Sequence, residues 1–277
     1  MKTGVSFYTF AQDVDILTAC REVKKAGYDG VELVLSEEGS LNMHASDQTL
    51  REMRAMVEGE GLKISSVGAW NIWEHNMAGE DAREAQRARD IVKKQIDCAA
   101  AFGADAVLVV PGWVGTPFAP GIVRYDVAYD NAQKALFQLE PHARAAGVAM
   151  AVENVWNKLL LSPIEFRGFL DAIDSPFVGA YFDVGNIIYV GYPEQWIEIL
   201  GSRIKRLHFC DCRFDQAGLG MFVDLLEGDV DFEKVMPAIR GIGYDDWITV
   251  EFLPNYKKFP YQSIINAKMS LDTILKL

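Results

Sequence analysis

The chain has 277 residues, half of them apolar and 24% charged, which excludes a disordered or low-complexity protein and leaves room for a sizeable core. Its formal charge of -12 argues against a nucleic-acid or anionic-membrane partner, since such partners draw on clustered Lys and Arg. The start, Met1 to Tyr8, lacks a signal-peptide apolar core, and no run approaches the roughly 18 apolar residues of a membrane span, so the cytoplasm is the expected location.

In chain order, strand-like apolar runs alternate with helical patterns. Strands are expected near residues 3–8, 30–35, 64–69, 105–110, 148–153, 178–183, 204–209 and 246–251. Helices are expected near 12–26, 47–61, 81–102, 125–146, 162–173, 193–201, 231–241 and 261–275. The third shows its period best, with Ala85, Ala88, Ile91, Val92, Ile96 and Ala99 on one face. No linker, charge block or compositional break divides the chain. Eight strand-helix units in one domain, residues 1–277, predict an α/β fold, the (β/α)₈ TIM barrel, whose loops after the strands form the reactive face. Cys20, Cys98, Cys210 and Cys212 contain no Cys-x-x-Cys pair, which removes a zinc ribbon or dithiol motif and leaves reduced thiols.

Four of the runs end in a residue that can ligate a metal: Glu153, Asp183, His208 and Glu251, successively 30, 25 and 43 residues apart. A carboxylate at a strand end is commonly a helix cap or loop anchor. Four in succession on strands five to eight converge on one rim, where three carboxylates and an imidazole would repel and lose hydration unless a cation held them. Three oxygen donors and one nitrogen suit Mn²⁺ or Mg²⁺, and Co²⁺, Fe²⁺ or Zn²⁺ would also bind.

These motifs, Val152-Glu153-Asn154-Val155-Trp156-Asn157-Lys158, Phe182-Asp183-Val184-Gly185-Asn186, His208-Phe209-Cys210-Asp211 and Glu227-Gly228-Asp229-Val230-Asp231, with Gly30-Val31-Glu32-Leu33 on strand two, resemble the sugar isomerase/epimerase superfamily of xylose-isomerase-like barrels. Within it the likeness is to ketose 3-epimerases and hexulose-phosphate isomerases, and it covers essentially the whole chain. The resemblance implies one divalent ion on Glu153, Asp183, His208 and Glu251, with Glu153 and Glu251 doubling as acid and base around an enediolate. The substrate would be a small sugar or sugar phosphate, and relatives of this kind form homo-oligomers. Two departures stand out: members acting on free ketohexoses commonly carry His where this chain has Asn186, and Glu where it has Leu159.

Substrate contacts are expected from Asn186, from Trp70, Trp113 and Trp156, whose flat rings can pack on a sugar face, from Arg213, which can fork onto a phosphate, and from Glu32, read as pointing toward the mouth or packing under it. Trp73 follows an expected strand like the other tryptophans, and Asp211 is placed to orient His208 or a nearby substrate group. An inosose-type dehydratase, which loses a β-hydroxyl after the same proton abstraction, is the alternative reaction. An endonuclease IV-like repair enzyme is disfavoured by only four His and the acidic charge.

Overall fold

Strands apolar on both faces must be covered on both, and parallel strands need a crossover of a dozen or more residues, so the alternation leads to helices packed outside a closed sheet. A computed structural model describes residues 1–11, 14–216, 218–251 and 256–277. Its barrel strands are β1 (Lys2–Ser6), β2 (Gly30–Leu35), β3 (Lys63–Ala69), β4 (Ala106–Val109), β5 (Ala149–Glu153), β6 (Val178–Asp183), β7 (Ile204–Phe209) and β8 (Trp247–Val250). They close in the order β1-β8-β7-β6-β5-β4-β3-β2, with every neighbouring pair parallel. The chain is a (β/α)₈ barrel.

The helices are α1 (Ile16–Ala26), α2 (Asp47–Gly59), α3 (Ala82–Phe102), α4 (Tyr125–Ala146), α5 (Pro163–Asp171), α6 (Pro193–Leu200), α7 (Phe232–Gly241) and α8 (Gln262–Ile274). Their ends follow from local chemistry. Asp15 accepts the Thr18 N–H at 2.8 Å and starts α1 four residues later than expected, while Gln12 and Asp13, the first residues of that expectation, lie outside the described residues. Gly103 and Gly147 end α3 and α4 in the left-handed conformation, at φ 75° and 68°. Ser162 caps α5 ahead of Pro163, whose missing N–H costs nothing in the first turn.

The main core lies between sheet and helices, where Phe166, Phe169, Phe182 and Trp196 are fully buried. Inside the barrel the period-2 rule sends Arg206 and His208 of β7 to the same side. Arg206 forms the lower plug, reaching across to the Ser65 carbonyl and pairing with Asp246 at 2.7 Å and with Asp105. His208 lies one layer higher, beneath the mouth.

Two features of the mouth have no periodic signature. The expected first strand stops at Ser6, whose hydroxyl caps a 3₁₀ turn at Phe7–Thr9. After β7 the chain folds into a short antiparallel ribbon, Asp211–Cys212 against Phe222–Val223.

Candidate metal centre

Glu153, Asp183 and His208 occupy the C-terminal ends of β5, β6 and β7, and Glu251 follows β8 by one residue. In-register pairing sets Asp183 beside His208, and Glu153 beside Tyr181 one strand over. One ligand atom from each of the four lies within 4.8 Å of the others, and all four residues are buried. His208 Nδ1 stands 3.2 Å from Glu251 Oε2 and 3.4 Å from Glu153 Oε1, yet it has no hydrogen-bond partner of proper geometry.

The other ring nitrogen is fully engaged. Nε2–H donates to Glu32 Oε1 at 3.0 Å. Glu32 in turn accepts from the Ser6 hydroxyl at 2.7 Å, the Ser66 hydroxyl at 2.7 Å and the Tyr181 hydroxyl at 2.8 Å, while the Tyr181 ring packs on the imidazole. An acceptor-only carboxylate holds the proton on Nε2 and leaves Nδ1 as the ring nitrogen turned toward the carboxylates. Burial alone would raise the Glu32 pKa, but His208 and the two serine hydroxyls hold it below its ordinary value.

Asp183 is aimed by its own turn: Oδ1 accepts the N–H groups of Gly185 (2.8 Å) and Asn186 (2.7 Å) and the Cys210 thiol (3.1 Å). Asn154 clamps its backbone, donating to the Asp183 carbonyl at 2.7 Å and accepting its N–H at 2.9 Å. Burial, reinforced by the neighbouring Glu153 charge, pushes Asp183 up to about 6. Glu153 and Glu251 are pushed up to about 7, by burial first and then by repulsion from the other carboxylates, against the attraction of His208. For His208, burial opposes the charge but the Glu251 and Glu32 carboxylates outweigh it and raise the pKa well above the ordinary value.

An orphaned imidazole nitrogen facing three carboxylates that resist ionising together is the donor set of a divalent-cation site, so the residues present fit such an ion. A stability consequence follows for the metal-free chain. Carboxyls with raised folded-state pKa bind protons more tightly folded than unfolded, so stability falls as pH rises from about 4 through about 7. His208 acts in the same direction, since its raised pKa gives stability present below about 6.5 and lost as pH rises through the folded value. Thermal unfolding of chelator-stripped protein is therefore expected at lower temperature at pH 8 than at pH 5.5, with added Mn²⁺ raising the midpoint more at pH 8. A cation-induced shift that is absent at pH 8 would contradict the site.

Above the cluster opens a cavity of about 310 Å³, mostly apolar, walled by Tyr8, Trp70, Trp73, Val110, Phe118, Val155, Trp156 and Phe222, with Glu74, Asn186, Glu153 and Glu251 as its polar members. Among the four clustered residues only the two glutamates reach it; Asp183 and His208 have no exposed surface. Trp73 and Phe118 meet edge to face at 5.0 Å, and Trp156 stacks on Phe222 at 5.1 Å and 16°. Trp156 is carried by a loop tied down at both ends: Asn157 donates to the Gly112 carbonyl and accepts the Leu159 N–H, and Lys158 and Leu160 take left-handed backbone angles at φ 55° and 59°.

Trp70, Trp156 and Asn186 thus border the cavity, whereas three of the expected substrate contacts are corrected. Glu32 is the third residue of β2, is fully buried beneath the cluster and holds His208, so it cannot touch a sugar. Trp113 is buried and stacks behind Trp73 at 6.2 Å, outside the cavity lining. Arg213 pairs with Glu227 at 2.7 Å, also outside the lining. Asp211 does not support His208; its carboxylate accepts the N–H groups of Cys212, Leu226, Gly228 and Val230 and anchors the loop after β7. Tyr8, Phe118, Phe222 and Glu74 escaped the sequence reading. Tyr8 alone has a signal there, its place as the last residue of an expected strand.

Fold and cluster together define a (β/α)₈ barrel with a buried Glu/Asp/His group at its C-terminal mouth that can hold a metal ion. The chain belongs to the xylose isomerase-like TIM barrel family, whose model matches residues 20–266. It is 27% identical over 168 residues to an inosose dehydratase of Lacticaseibacillus casei, a match covering 55% of this chain and 56% of that protein's length. It is 26% identical over 266 residues to the putative L-ribulose-5-phosphate 3-epimerase SgbU of Escherichia coli strain K12, covering 90% of this chain and 87% of the relative. The structure of D-psicose 3-epimerase from Clostridium cellulolyticum H10 superposes with a TM-score of 0.78 at 17% identity, covering 99% of both chains. No described helix is long and apolar enough to cross a membrane.

Proposed function

We propose that the protein is a divalent-metal-dependent carbohydrate epimerase or isomerase, with ketose 3-epimerisation as the preferred reaction. The observation that carries this reading is the division within the cluster: Glu153 and Glu251 border the cavity, while Asp183 and His208 lie wholly beneath it. Glu153, Asp183, His208 and Glu251 would hold the ion, and the oxygen-rich donor set favours Mn²⁺, with Mg²⁺, Co²⁺ or Zn²⁺ as substitutes. When bound, the ion would supply Lewis-acid polarisation of a carbonyl and its neighbouring hydroxyl.

The chain's own residues do the rest. Glu153 and Glu251 are the two carboxyls of the cluster that reach the cavity, placed to take a proton from a bound sugar and to return one, as general acid-base work requires. One glutamate removes the proton from the carbon beside the carbonyl, and the other returns one from the opposite face. The apolar walls exclude water from the exposed carbanionic carbon, and Asn186, Trp70 and Trp156 position the sugar. Four buried free cysteines suit a reducing cytoplasm.

Proton NMR in D₂O with a panel of ketoses tests the reaction. Deuterium entering C3 with formation of a new ketose is the expected result, and deuterium at C1 with an aldose would make the enzyme an isomerase. The similarity to inosose dehydratase favours one second reading, elimination of water from a cyclic polyol ketone after the same proton abstraction. Exchange at no ketose carbon would replace epimerisation by that reaction.

A further inference from the structure

We propose that the outer part of this cavity recognises a cationic group, so that the substrate is an amino-substituted sugar or polyol ketone whose ammonium lies against Glu74. The inference rests on the reading above for the sugar; the sign of the charge is argued from the walls.

The charge count includes the ion. Three clustered carboxylates against a divalent cation leave one negative charge, since an imidazole that offers Nδ1 to a metal and keeps its proton on Nε2 is neutral. Glu32 adds a second negative charge from beneath, and Glu74 a third on the wall. Neither Lys nor Arg lines the cavity among the described residues, and positions 12, 13, 217 and 252–255 contain none in the sequence. Arg213 is taken up by Glu227. The site with its ion in place is therefore still net negative, and the charge of -12 on the whole chain adds a field of the same sign. An ammonium group is attracted there, and a phosphate is opposed.

Hydroxyls are served by other groups. The indole N–H groups of Trp70, Trp73 and Trp156 and the Asn186 amide are donors of this wall, and Asn186, Glu153 and Glu251 bring acceptors, so the lining can serve a hydroxylated ring. Glu74 stands apart from that set. It ends the 3₁₀ turn Asn71–Glu74 after β3, and β3 is diametrically opposite β7 in the closed ring, so its carboxylate borders the cavity across the mouth from His208. Among the described residues that carboxylate has no hydrogen-bond or ion-pair partner, and the neighbouring His75 is occupied by Glu84 at 2.6 Å. The turn itself is fastened. Asn76 donates to the Trp113 carbonyl at 2.9 Å and accepts the N–H groups of Trp113 and Ala78, both at 3.0 Å.

A carboxylate on a fixed turn next to Trp73, whose ring meets Phe118 at 5.0 Å, combines an anion with π-systems, the two kinds of group that hold an ammonium ion. Indole donates at its edge and attracts cations at its face, so hydroxyls and an ammonium do not compete for one surface. Glu74 is exposed, which keeps the pair partly hydrated and its gain modest.

Calorimetric titration of the Mg²⁺-loaded full chain at neutral pH tests this with D-glucose, 6-amino-6-deoxy-D-glucose and D-glucose 6-phosphate, one skeleton with a neutral, positive or negative group at C6. The amino sugar is expected to bind about tenfold more tightly than glucose, and the phosphate more weakly than glucose. Glu74→Gln, an exposed and nearly isosteric change, should bring the amino sugar to within about threefold of glucose, and Glu74→Lys should reverse the order of amino sugar and phosphate. Equal binding of amino sugar and glucose, an advantage that survives in Glu74→Gln, or tighter binding of the phosphate by the wild-type protein would overturn the proposal. Failure of the metal reading shows separately, as no heat of Mg²⁺ binding, while the ammonium preference would persist in cation-free protein. Binding of none of the three sugars would overturn the sugar reading and this proposal together.

Discussion

Replacing Glu251 or Glu153 by Gln is expected to lower epimerisation kcat by about 10³-fold or more, roughly 4 kcal/mol of transition-state stabilisation, while leaving the barrel folded. Gln keeps the volume of Glu and one carbonyl oxygen, so packing at these buried positions changes little. What it loses is the ability to carry a proton. The two variants should also fail in different halves of the reaction. With one carboxyl intact, the epimer whose proton faces it should still exchange that proton with D₂O and regain it on the same face, giving exchange without inversion. The opposite epimer should be inert, and the second variant should show the reverse pattern. This asymmetry separates a proton-transfer role from mere damage to the ion site, since damage would suppress exchange from both epimers alike. Retained turnover in either variant would remove that glutamate from the acid-base pair.

The architecture was legible because it is written in periods. Strands apolar on both faces and helices with one apolar stripe leave few ways to close a sheet, and the expected β5, β6 and β7 end, as in the structure, on Glu153, Asp183 and Phe209, the last beside His208. The four-residue cluster was visible for the same reason: an ionisable group at the end of each of four consecutive parallel strands must arrive at one rim. What lay outside reach was everything set by contacts distant in sequence. Phe222 joins the cavity through a two-residue ribbon strand that has no pattern, and Trp113 leaves it because Trp73 stands in front. Arg213 is expected to fork onto a phosphate, but it is taken up by Glu227, fourteen residues on across a loop.

The electrostatics were legible only in outline. Crowded carboxylates at the mouth follow from the strand ends, but which nitrogen of His208 faces them does not. That choice is made from below the site, by a residue 176 positions away in the chain. For Glu32 the sequence leaves two placements open, toward the mouth or packed under it, because Gly30-Val31-Glu32-Leu33 shows a strand but not its register. Parallel register pairs Ser6 with Glu32 and Glu32 with Ser66, placing all three one layer under the cluster.

Glu32→Gln is therefore expected to weaken cation binding by about 10- to 100-fold, the usual cost of losing a carboxylate behind a ligating imidazole, without removing any of the four clustered residues. Gln is nearly isosteric and can still accept from Ser6 or Ser66, so the barrel should remain folded. Its amide can accept the Nε2–H, but it carries no charge. The imidazole then loses the field that strengthens its Nδ1 lone pair, and the amide can instead rotate an N–H toward Nε2 and favour the wrong tautomer. Competition with a metal-sensitive chelator measures the affinity directly, independent of turnover, and ¹⁵N shifts of His208 report the tautomer. Tyr181→Phe removes one of the hydroxyls that orient Glu32 and leaves the carboxylate in place, so its loss should be smaller and the tautomer unchanged. A purely structural role for Glu32 would lower the unfolding midpoint in both variants without this split. If chelator competition gives Glu32→Gln an affinity within about threefold of wild type, with an unaltered imidazole spectrum, then register and packing alone hold His208 and the charge beneath it is incidental.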